Sequence, residues 1–253
     1  MRLLSWNIPN GGGRRIPRIV GEISAYDPDV VAVTGFRAGP GVALSAAMKE
    51  LGLWHVETTR PTGNHDGIAV FSRTPILRFR PCPAPSESLD RWLDIDLPDY
   101  GFGIGILHIM AAGSSAKAPS TVAKTRFWDA VLQAGETRLR EPFMLLGDWN
   151  TGAHGLDESG KTFVCAGHFA RLSAMGWVDL WRHHNPGITE HTWYSKLKGG
   201  ARRNGFRLDH AFATPGFTPR VALCRYSHAE RDAGVSAHSM MVVEVTDRAS
   251  AAQ

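Results

Sequence analysis

Short apolar runs recur along the chain, with the length and composition typical of β-strands. Val30–Val33 and Phe143–Leu146 are apolar at every position, which is the pattern of strands buried on both faces. Turn-forming Gly, Pro, Asn or Asp residues separate most of the runs. The predicted strands are Leu3–Ile8, Val30–Val33, Leu53–Thr58, Gly67–Phe71, Ile76–Phe79, Trp92–Leu97, Gly103–His108, Phe143–Leu146, Thr192–Tyr194, Phe206–Phe212, Val221–Tyr226 and Met240–Val245.

Fewer segments show the period of a helix. Arg15–Ala25 places Ile16, Ile19 and Ile23 on one stripe, so an amphipathic helix is predicted there. A second helix is predicted after Pro40 and Gly41, and the longest one begins with Ser120 as its N-cap. Phe163–Met175 is the last predicted helix.

The order of these segments predicts an α/β fold in one domain over residues 1–246. No Gly/Ser-rich or Pro-rich linker divides the chain, and no repeat of fixed period is visible. Strands outnumber helices without strict alternation, which favours two packed sheets flanked by helices over a doubly wound parallel sheet. The small and polar segment 247–253 is predicted to be a frayed tail.

Composition limits the possible function classes. The 253 residues include 28 Lys plus Arg and 24 Asp plus Glu, a net charge of +4 that suits an anionic partner without requiring one. No apolar run approaches the roughly 20 residues of a membrane span, and we expect no secretory signal. Three distant cysteines indicate reduced thiols, so we expect a cytoplasmic protein, and no feature predicts an obligate protein partner.

Polar residues stand at the ends of five predicted strands. Asn7 ends the first strand, His108 ends Gly103–His108, and Asp148 with Asn150 follows Phe143–Leu146. Asp209 lies inside the predicted strand Phe206–Phe212, and His238 precedes the strand Met240–Val245. Taken singly, such residues are more often turn formers or satisfied surface groups than catalytic groups. Their number at strand ends nevertheless indicates a site, because a sheet fixes the geometry of side chains at its ends.

Five short motifs follow one another in order along nearly the whole chain: Leu4–Ile8, Gly67–Arg73, Leu146–Asn150, Arg207–His210 and Ser236–Ser239. Together they resemble the motifs of the endonuclease/exonuclease/phosphatase superfamily. Arg91–Asp96, Gly176–Leu180 and Thr192–Trp193 are similar to segments of the exonuclease III and AP-endonuclease branch. The resemblance implies a four-layer α/β sandwich and cleavage of phosphodiester bonds with Mg²⁺ or Mn²⁺.

The same resemblance implies roles for individual residues. Asp148 resembles the carboxylate that orients or deprotonates the attacking water, and Asn150 would donate a hydrogen bond to a phosphate oxygen. Asp209 and His238 would form the acid/base dyad. His108 matches the histidine that many members place near the leaving group, where the exonuclease III branch tends to have a tyrosine.

Two positions depart from the family pattern at the metal site. Asn7 and Asp148 match residues near the metal, but Gly35 stands where the family has a metal-binding glutamate, and Ala237 stands where it has an aspartate. Because Mg²⁺ is held mainly by carboxylates, water and substrate phosphate, the chain is predicted to bind metal weakly and to hydrolyse slowly.

Several explanations of these two positions remain open. The first explanation is an enzyme that was deliberately inactivated. The second is a catalytically silent protein that binds nucleic acid or a phosphate ligand, and the third is an active enzyme whose metal is held elsewhere. The residues considered for a displaced metal are Asp148, Asp209, His108 and Asp66. Alternatively, Gly35 simply supplies a tight turn after its strand.

Basic residues near the motifs predict a nucleic-acid substrate, and we expect double-stranded DNA. A positive flank beside the site is predicted close after Asn7, from Arg14, Arg15 and Arg18. The residues predicted to bind substrate are Arg73, Lys196, Lys198, Arg202, Arg203 and Arg207. A solvated loop would show the same charge run, and a small phosphoester remains an alternative substrate.

Overall fold

The computed structural model describes residues 1–78, 80–112, 118–158, 163–198 and 200–246. Its strands are β1 (Arg2–Asn7), β2 (Val30–Phe36), β3 (His55–Thr58), β4 (Gly67–Ser72), β5 (Trp92–Leu97), β6 (Phe102–His108), β7 (Phe143–Asp148), β8 (Val178–Asp179), β9 (Trp193–Lys196), β10 (Arg202–Phe206), β11 (Asp209–Ala213), β12 (Val221–Ser227) and β13 (Met240–Val245). Its helices are α1 (Ile16–Ser24), α2 (Ala38–Glu50), α3 (Pro119–Arg138), α4 (Ala166–Ala174), α5 (Leu180–His184) and α6 (Ala229–Asp232). The predicted tail 247–253 lies outside the described residues.

Two mixed sheets contain most of these strands. The first has the order β12-β13-β1-β2-β4-β3, and the second has the order β5-β6-β7-β11-β8. One apolar core lies between the two sheets, a second joins the first sheet to α1 and α2, and a third joins the second sheet to α3 and α4. Helix, sheet, sheet and helix layers therefore follow one another, and the predicted four-layer α/β sandwich is confirmed.

The central strand β2 shows why the sequence favours this layering. Val30 and Ala32 face the core between the sheets, whereas Val31 and Val33 face the core under α1 and α2. Both faces of the strand are buried, so every position has to be apolar and no hydrophobic alternation appears. β7 follows the same rule between the first and third cores.

Most predicted elements are confirmed with small shifts at their ends. The predicted strand Phe206–Phe212 is wrong: the chain leaves β10 at Phe206 and enters β11 at Asp209. Between them the Arg207 amide donates to the Asp157 carbonyl instead of to a neighbouring strand. The chain thereby passes from the separate β9–β10 hairpin into the second sheet.

A second correction concerns the predicted strand Ile76–Phe79. In the part of this segment that the structure describes, only Leu77 pairs, through an isolated bridge to Asp96. Pro75 lacks an amide hydrogen just before the segment, which works against a longer ladder. Phe79 lies outside the described residues. Among the described helices, none is long and apolar enough to cross a lipid bilayer.

Candidate active site

The register of the second sheet brings three polar strand ends together. His108 lies opposite Asp148 in the parallel β6–β7 pair, and Asp209 lies opposite Asp148 in the antiparallel β7–β11 pair. Gly147 makes the close approach of β7 to β6 possible, because its φ is +130° and a Cβ there would overlap the Leu107 carbonyl oxygen. Asp148 is therefore flanked by a histidine on one side and a carboxylate on the other.

Asn7 brings the first sheet to the same point. Its Nδ2 donates to Asp148 Oδ2 at 2.7 Å, and the Asn150 backbone N–H donates to Asp148 Oδ1 at 3.0 Å. Asp148 is only 2% exposed, so these two bonds satisfy a carboxylate that is almost completely removed from solvent. The carboxylate is held in one orientation by a donor from the first sheet and a donor from the turn that follows β7.

Asp209 and His238 form a hydrogen-bonded pair beside Asp148. His238 Nδ1 lies 3.0 Å from Asp209 Oδ2, and His238 Nε2 lies 3.8 Å from Asp148 Oδ2. Burial alone would lower the pKa of His238, but the Asp209 and Asp148 carboxylates raise it to about 9. The imidazole is therefore protonated on both ring nitrogens and positively charged at neutral pH, and Asp209 fixes the orientation of the ring.

His108 completes the cluster on the other side of Asp148. Its Nε2 lies 4.0 Å from Asp148 Oδ2, and its Nδ1 is buried without a hydrogen-bond partner in the described part of the chain. Burial lowers the pKa of His108 to about 4, although Asp148 opposes this. The two histidines therefore differ in charge at neutral pH, His108 being neutral and His238 positive.

Asn150 follows Asp148 in a left-handed conformation, with φ of +46°. Its Nδ2 donates to the Ile109 carbonyl at 2.9 Å, which uses one of the two amide hydrogens. Lys124 of α3 donates from Nζ to the Asn150 carbonyl oxygen at 2.5 Å. The Asp148–Asn150 turn is thus held from its interior side by a lysine.

Lys124 is a residue that the sequence reasoning missed. It is 1% exposed, and burial lowers the pKa of its ammonium group to about 8. No carboxylate lies within ion-pair distance of its Nζ among the described residues. Helical spacing from Lys124 to the buried Phe127 and Val131 is the signal that places a cation on the apolar face of α3.

The two positions without carboxylates adjoin this cluster. Gly35 has φ of +73° at a β-bulge, and a Cβ on it would lie 2.9 Å from Asn7 Oδ1. The conformation supports the alternative that this glycine meets a backbone requirement. Ala237 is exposed, directly before His238, whose backbone N–H donates to Ser236 Oγ at 3.2 Å.

The side chains present fit a divalent cation with a reduced set of ligands. Asn7 Oδ1 is buried and has no hydrogen-bond partner among the described residues, so a neutral oxygen is available beside Asp148. Asp148, Asp209 and His238 place one potential ligand atom each within 4.8 Å of one another. Because His238 is protonated at neutral pH, the fit rests on Asn7 and Asp148, together with water and substrate oxygens.

Asp66 does not offer a replacement carboxylate. It accepts a hydrogen bond from Arg37 Nε at 2.6 Å, and Arg37 Nη2 also donates to Asn10 Oδ1 at 2.7 Å. Its charge is therefore already neutralised by an arginine. Of the considered residues, Asp148, Asp209 and His108 belong to the cluster, and Asp66 does not.

The prediction that Arg207 binds substrate is wrong. Arg207 is fully buried and forms ion pairs with Asp157, at 2.8 Å, and with Asp179. Burial raises the pKa of both carboxyl groups, but the neighbouring guanidinium lowers it below its usual range. Arg207 is a structural cation at the junction between the hairpin and the second sheet.

Arg73 also lies away from the predicted substrate path. It follows β4 at the end where Ser72 pairs with Val30, whereas Asn7 pairs with Thr34 at the other end of β2. Its guanidinium forms an ion pair with Asp27. Arg73 therefore lies at the opposite end of β2 from Asn7, and its contact with substrate stays a prediction.

The remaining predicted cations lie on or next to the β9–β10 hairpin. Lys196, Lys198, Arg202 and Arg203 are exposed, whereas Gly199 lies outside the described residues. Arg202 forms an ion pair with Asp232 at 2.5 Å. Lys196 and Arg202 line a surface recess that also includes Ser236 and Ala237, so the hairpin adjoins the candidate site.

Comparison with known proteins identifies the class to which this fold and site belong. The model of the Endonuclease/Exonuclease/phosphatase family matches residues 4–238, and the chain belongs to that family. A DNA-(apurinic or apyrimidinic site) endonuclease of Dictyostelium discoideum is 23% identical over 224 residues. That alignment covers 83% of this chain and 61% of the relative, so the chain spans less than two thirds of the relative's length.

Solved structures show the same fold at low sequence identity. An AP endonuclease from Archaeoglobus fulgidus superposes with a TM-score of 0.83 at 18% identity, covering 97% of this chain and 99% of the other. The 3′ phosphatase NExo from Neisseria, bound to a product DNA hairpin, gives 0.82 at 20% identity, with coverage of 97% and 99%. At these identities the two structures show that the fold is shared over nearly the whole of both chains.

Proposed function

We propose that the chain is a metal-assisted phosphodiesterase of nuclease type that acts on DNA. The observation that carries the proposal is the hydrogen bond from Asn7 to Asp148, which joins the two sheets where His238, Asp209 and His108 also meet. Carboxylate, imidazolium and amide groups at one buried point form the set that hydrolysis of a phosphodiester requires. DNA is proposed because the named relatives act on DNA and because exposed cations adjoin the site.

Each residue has a defined task in this proposal. Asp148 orients the attacking water and accepts its proton as the new O–P bond forms and the P–O bond to the departing strand breaks, and the departing oxygen takes a proton from solvent. Asn150 donates its second amide hydrogen to a phosphate oxygen that gains negative charge. His238 donates a hydrogen bond from Nε2 to the phosphate oxygen that gains negative charge, and Asp209 fixes the orientation of the ring. His108, neutral and buried, lies on the side proposed for the departing oxygen.

Asn7 and Asp148 would hold the divalent cation, which supplies charge neutralisation of the phosphate when it is bound. Two carboxylates of the family pattern are replaced by Gly35 and Ala237, so the proposed affinity for Mg²⁺ or Mn²⁺ is low. Slow hydrolysis that requires high metal concentration follows from this donor set. The alternative function, a catalytically silent binder of nucleic acid, is favoured by one observation, the lack of carboxylates at Gly35 and Ala237.

Cleavage of duplex DNA with a single abasic site tests the proposal. The chain should cut it slowly with Mg²⁺ or Mn²⁺, and both chelator and Asp148→Asn should abolish cleavage. Binding of duplex DNA should weaken steeply from low to physiological salt, which a small phosphoester with few charges would not do. DNA binding without any metal-dependent cleavage would support the silent binder instead.

A further inference from the structure

A recess beside the candidate site is lined by four cations and one carboxylate. Its volume is about 330 Å³, and its charged lining residues are Arg15, Lys196, Arg202, Arg231 and Asp232. We call this recess the arginine pocket. Its lining residues have a net charge of +3, and its volume is large enough for a phosphate group and part of a nucleotide.

Arg231 is built into the wall of the arginine pocket. Its side chain is 8% exposed, and Nη1 donates to the His191 carbonyl at 2.6 Å and to Ser239 Oγ at 3.0 Å. Its Cζ lies 4.9 Å from the centre of the Tyr194 ring. A guanidinium fixed in this way loses little conformational freedom when it binds an anion.

Arg202 contacts Tyr194, as Arg231 does, and both arginines contact Asp232. Its Cζ lies 4.8 Å from the centre of the Tyr194 ring, and its Nη2 lies 2.5 Å from Asp232 Oδ1. The same carboxylate oxygen lies 3.1 Å from Arg231 Nε. One tyrosine and one aspartate therefore orient two arginines, and the single carboxylate leaves one of their two positive charges uncompensated.

Arg15 adds a third fixed guanidinium from a distant part of the chain. Its Nη1 donates to the Val235 carbonyl at 2.6 Å, and its Nη2 donates to the Pro9 carbonyl. Neutral carbonyl groups orient this side chain without cancelling its charge. The arginine pocket thus contains three preorganised arginines, a composition that matches the geometry of phosphate oxygens.

The segment from Ser236 to His238 connects this pocket to the candidate active site. Ser236 and Ala237 line the pocket, whereas His238 faces Asp209 and Asp148. Ser236 Oγ donates to the Asn7 carbonyl at 2.6 Å, which fixes the segment against β1. A strand with its scissile bond at Asp148 therefore has a neighbouring group within reach of the pocket.

We propose that the arginine pocket binds the terminal phosphate monoester of a nucleic-acid strand. The inference rests on the proposed function, because it takes the scissile bond to lie at Asp148. A monoester carries close to two negative charges at neutral pH, whereas an internal diester carries one, so a strongly positive pocket favours the strand end. Ala237 contributes to this preference, since an aspartate there would add a negative charge to the pocket wall.

Equilibrium binding without divalent metal tests this inference separately from catalysis. Fluorescent oligonucleotides with a 5′-phosphate, a 3′-phosphate or no terminal phosphate are compared by anisotropy in the presence of chelator. A phosphate at one end should tighten binding by about 10-fold or more, the effect of a charge-assisted hydrogen-bond set. Equal affinity for all three oligonucleotides would overturn the proposal.

Charge-neutral variants identify the binding residues. Arg15→Gln and Arg231→Gln should each reduce the preference for the phosphorylated end, and the pair should abolish it. Arg140→Gln is the matched control, because Arg140 is exposed and does not line the pocket. Since Arg15 and Arg231 both donate to backbone carbonyls, thermal unfolding checks the fold of each variant. A preference that persists in both variants would contradict the inference.

Two further measurements are needed. The first distinguishes a strand end from free phosphate as the ligand, and the second distinguishes a failure of this inference from a failure of the proposed function. Inorganic phosphate that binds as tightly as the phosphorylated strand would indicate a site for the free anion and overturn the strand-end assignment. Ala237→Asp should weaken the end preference while it strengthens metal-dependent cleavage. If end preference is present but no variant cleaves DNA, the proposed hydrolysis fails and the pocket assignment stands.

Discussion

Asn7 at the end of β1 donates a hydrogen bond of 2.7 Å to Asp148 at the end of β7, although 141 positions separate them in the sequence. The bond joins the two sheets of the sandwich at the buried end of both strands. It leaves Asn7 Oδ1 without a partner among the described residues, facing the position of Gly35. The same pair of residues therefore links the fold to the proposed metal chemistry.

Asn7→Asp tests this pair by replacing the donor with a second carboxylate. Two carboxylates at hydrogen-bond distance repel each other, so unfolding free energy in chelator should fall by about 1–3 kcal/mol. Mg²⁺ should restore the stability, because a cation that binds only the folded state raises its melting temperature. Differential scanning fluorimetry with chelator and with increasing Mg²⁺ measures both effects.

Asn7→Ala is the control for that measurement. It removes the donor without adding a charge, so it should lose stability and show no recovery with Mg²⁺ beyond that of the unmodified chain. A melting temperature of Asn7→Asp that does not respond to Mg²⁺ would contradict a cation site at Asn7 and Asp148.

The layered fold could be predicted from the sequence because its cause is local. A strand buried on both faces is apolar throughout, and Val30–Val33 and Phe143–Leu146 carry that pattern in full. Asp148 and Asn150 follow such a run directly, so the sequence marks them as candidates. The resemblance to a family then connected them with Asn7, Asp209 and His238.

The errors arise where long-range contacts decide the outcome. Arg207 stands in a basic run that resembles a nucleic-acid contact, and only the fold shows that Asp157 and Asp179 enclose it. Lys124 reads as an ordinary helical lysine until its burial against Asn150 is known. Electrostatic partners that are distant in sequence leave no periodic signal, so such residues are misassigned from the sequence alone.

Restoring the family carboxylates should increase metal-dependent cleavage. Gly35→Glu together with Ala237→Asp should raise the rate by orders of magnitude, since both side chains add oxygen ligands. Ala237 is exposed, so its replacement should be tolerated, whereas Gly35→Glu must adopt a positive φ at a cost of about 1–2 kcal/mol. Initial rates on abasic-site DNA at several Mg²⁺ concentrations measure the gain.

Gly35→Ala separates the strain at this position from the added ligand. It carries the same backbone cost without a carboxylate, so in chelator it should be at least as stable as Gly35→Glu, whose added charge is repelled by Asp148, while its rate stays low. A double variant no faster than Gly35→Ala combined with Ala237→Asp would show that position 35 has no part in metal binding.

The buried Arg207 network should make stability fall in acid. Burial opposes ionisation of Asp157, but Arg207 lowers its pKa, so its contribution is present above the unfolded-state pKa of about 3.9. That contribution is lost as pH falls through the lowered folded-state pKa. Asp157→Asn should therefore cost about 3 kcal/mol at pH 7, and its difference from the unmodified chain should narrow below about pH 4.

Urea unfolding from neutral to acid pH measures this difference. The exposed Asp99 gives a suitable control, because Asp99→Asn should change stability little at any pH. A constant difference between Asp157→Asn and the unmodified chain across the acid range would contradict a stabilising charge on Asp157.

Lys124→Met should separate the stability of the fold from the activity of the site. The substitution removes a buried ammonium group whose desolvation is unfavourable, but it also leaves the Asn150 carbonyl without its donor. These effects oppose each other, so the free energy of unfolding should change by less than about 1 kcal/mol. The Asp148–Asn150 turn loses its support, so kcat for abasic-site DNA should fall by about tenfold or more while the Kd for DNA stays unchanged.

Arg138→Met supplies the contrast, because Arg138 is a buried cation paired with Asp94 away from the site. This substitution should lower the free energy of unfolding by about 3–5 kcal/mol and leave kcat of the folded protein intact. An unchanged kcat in Lys124→Met would show that Lys124 only fills space under α3.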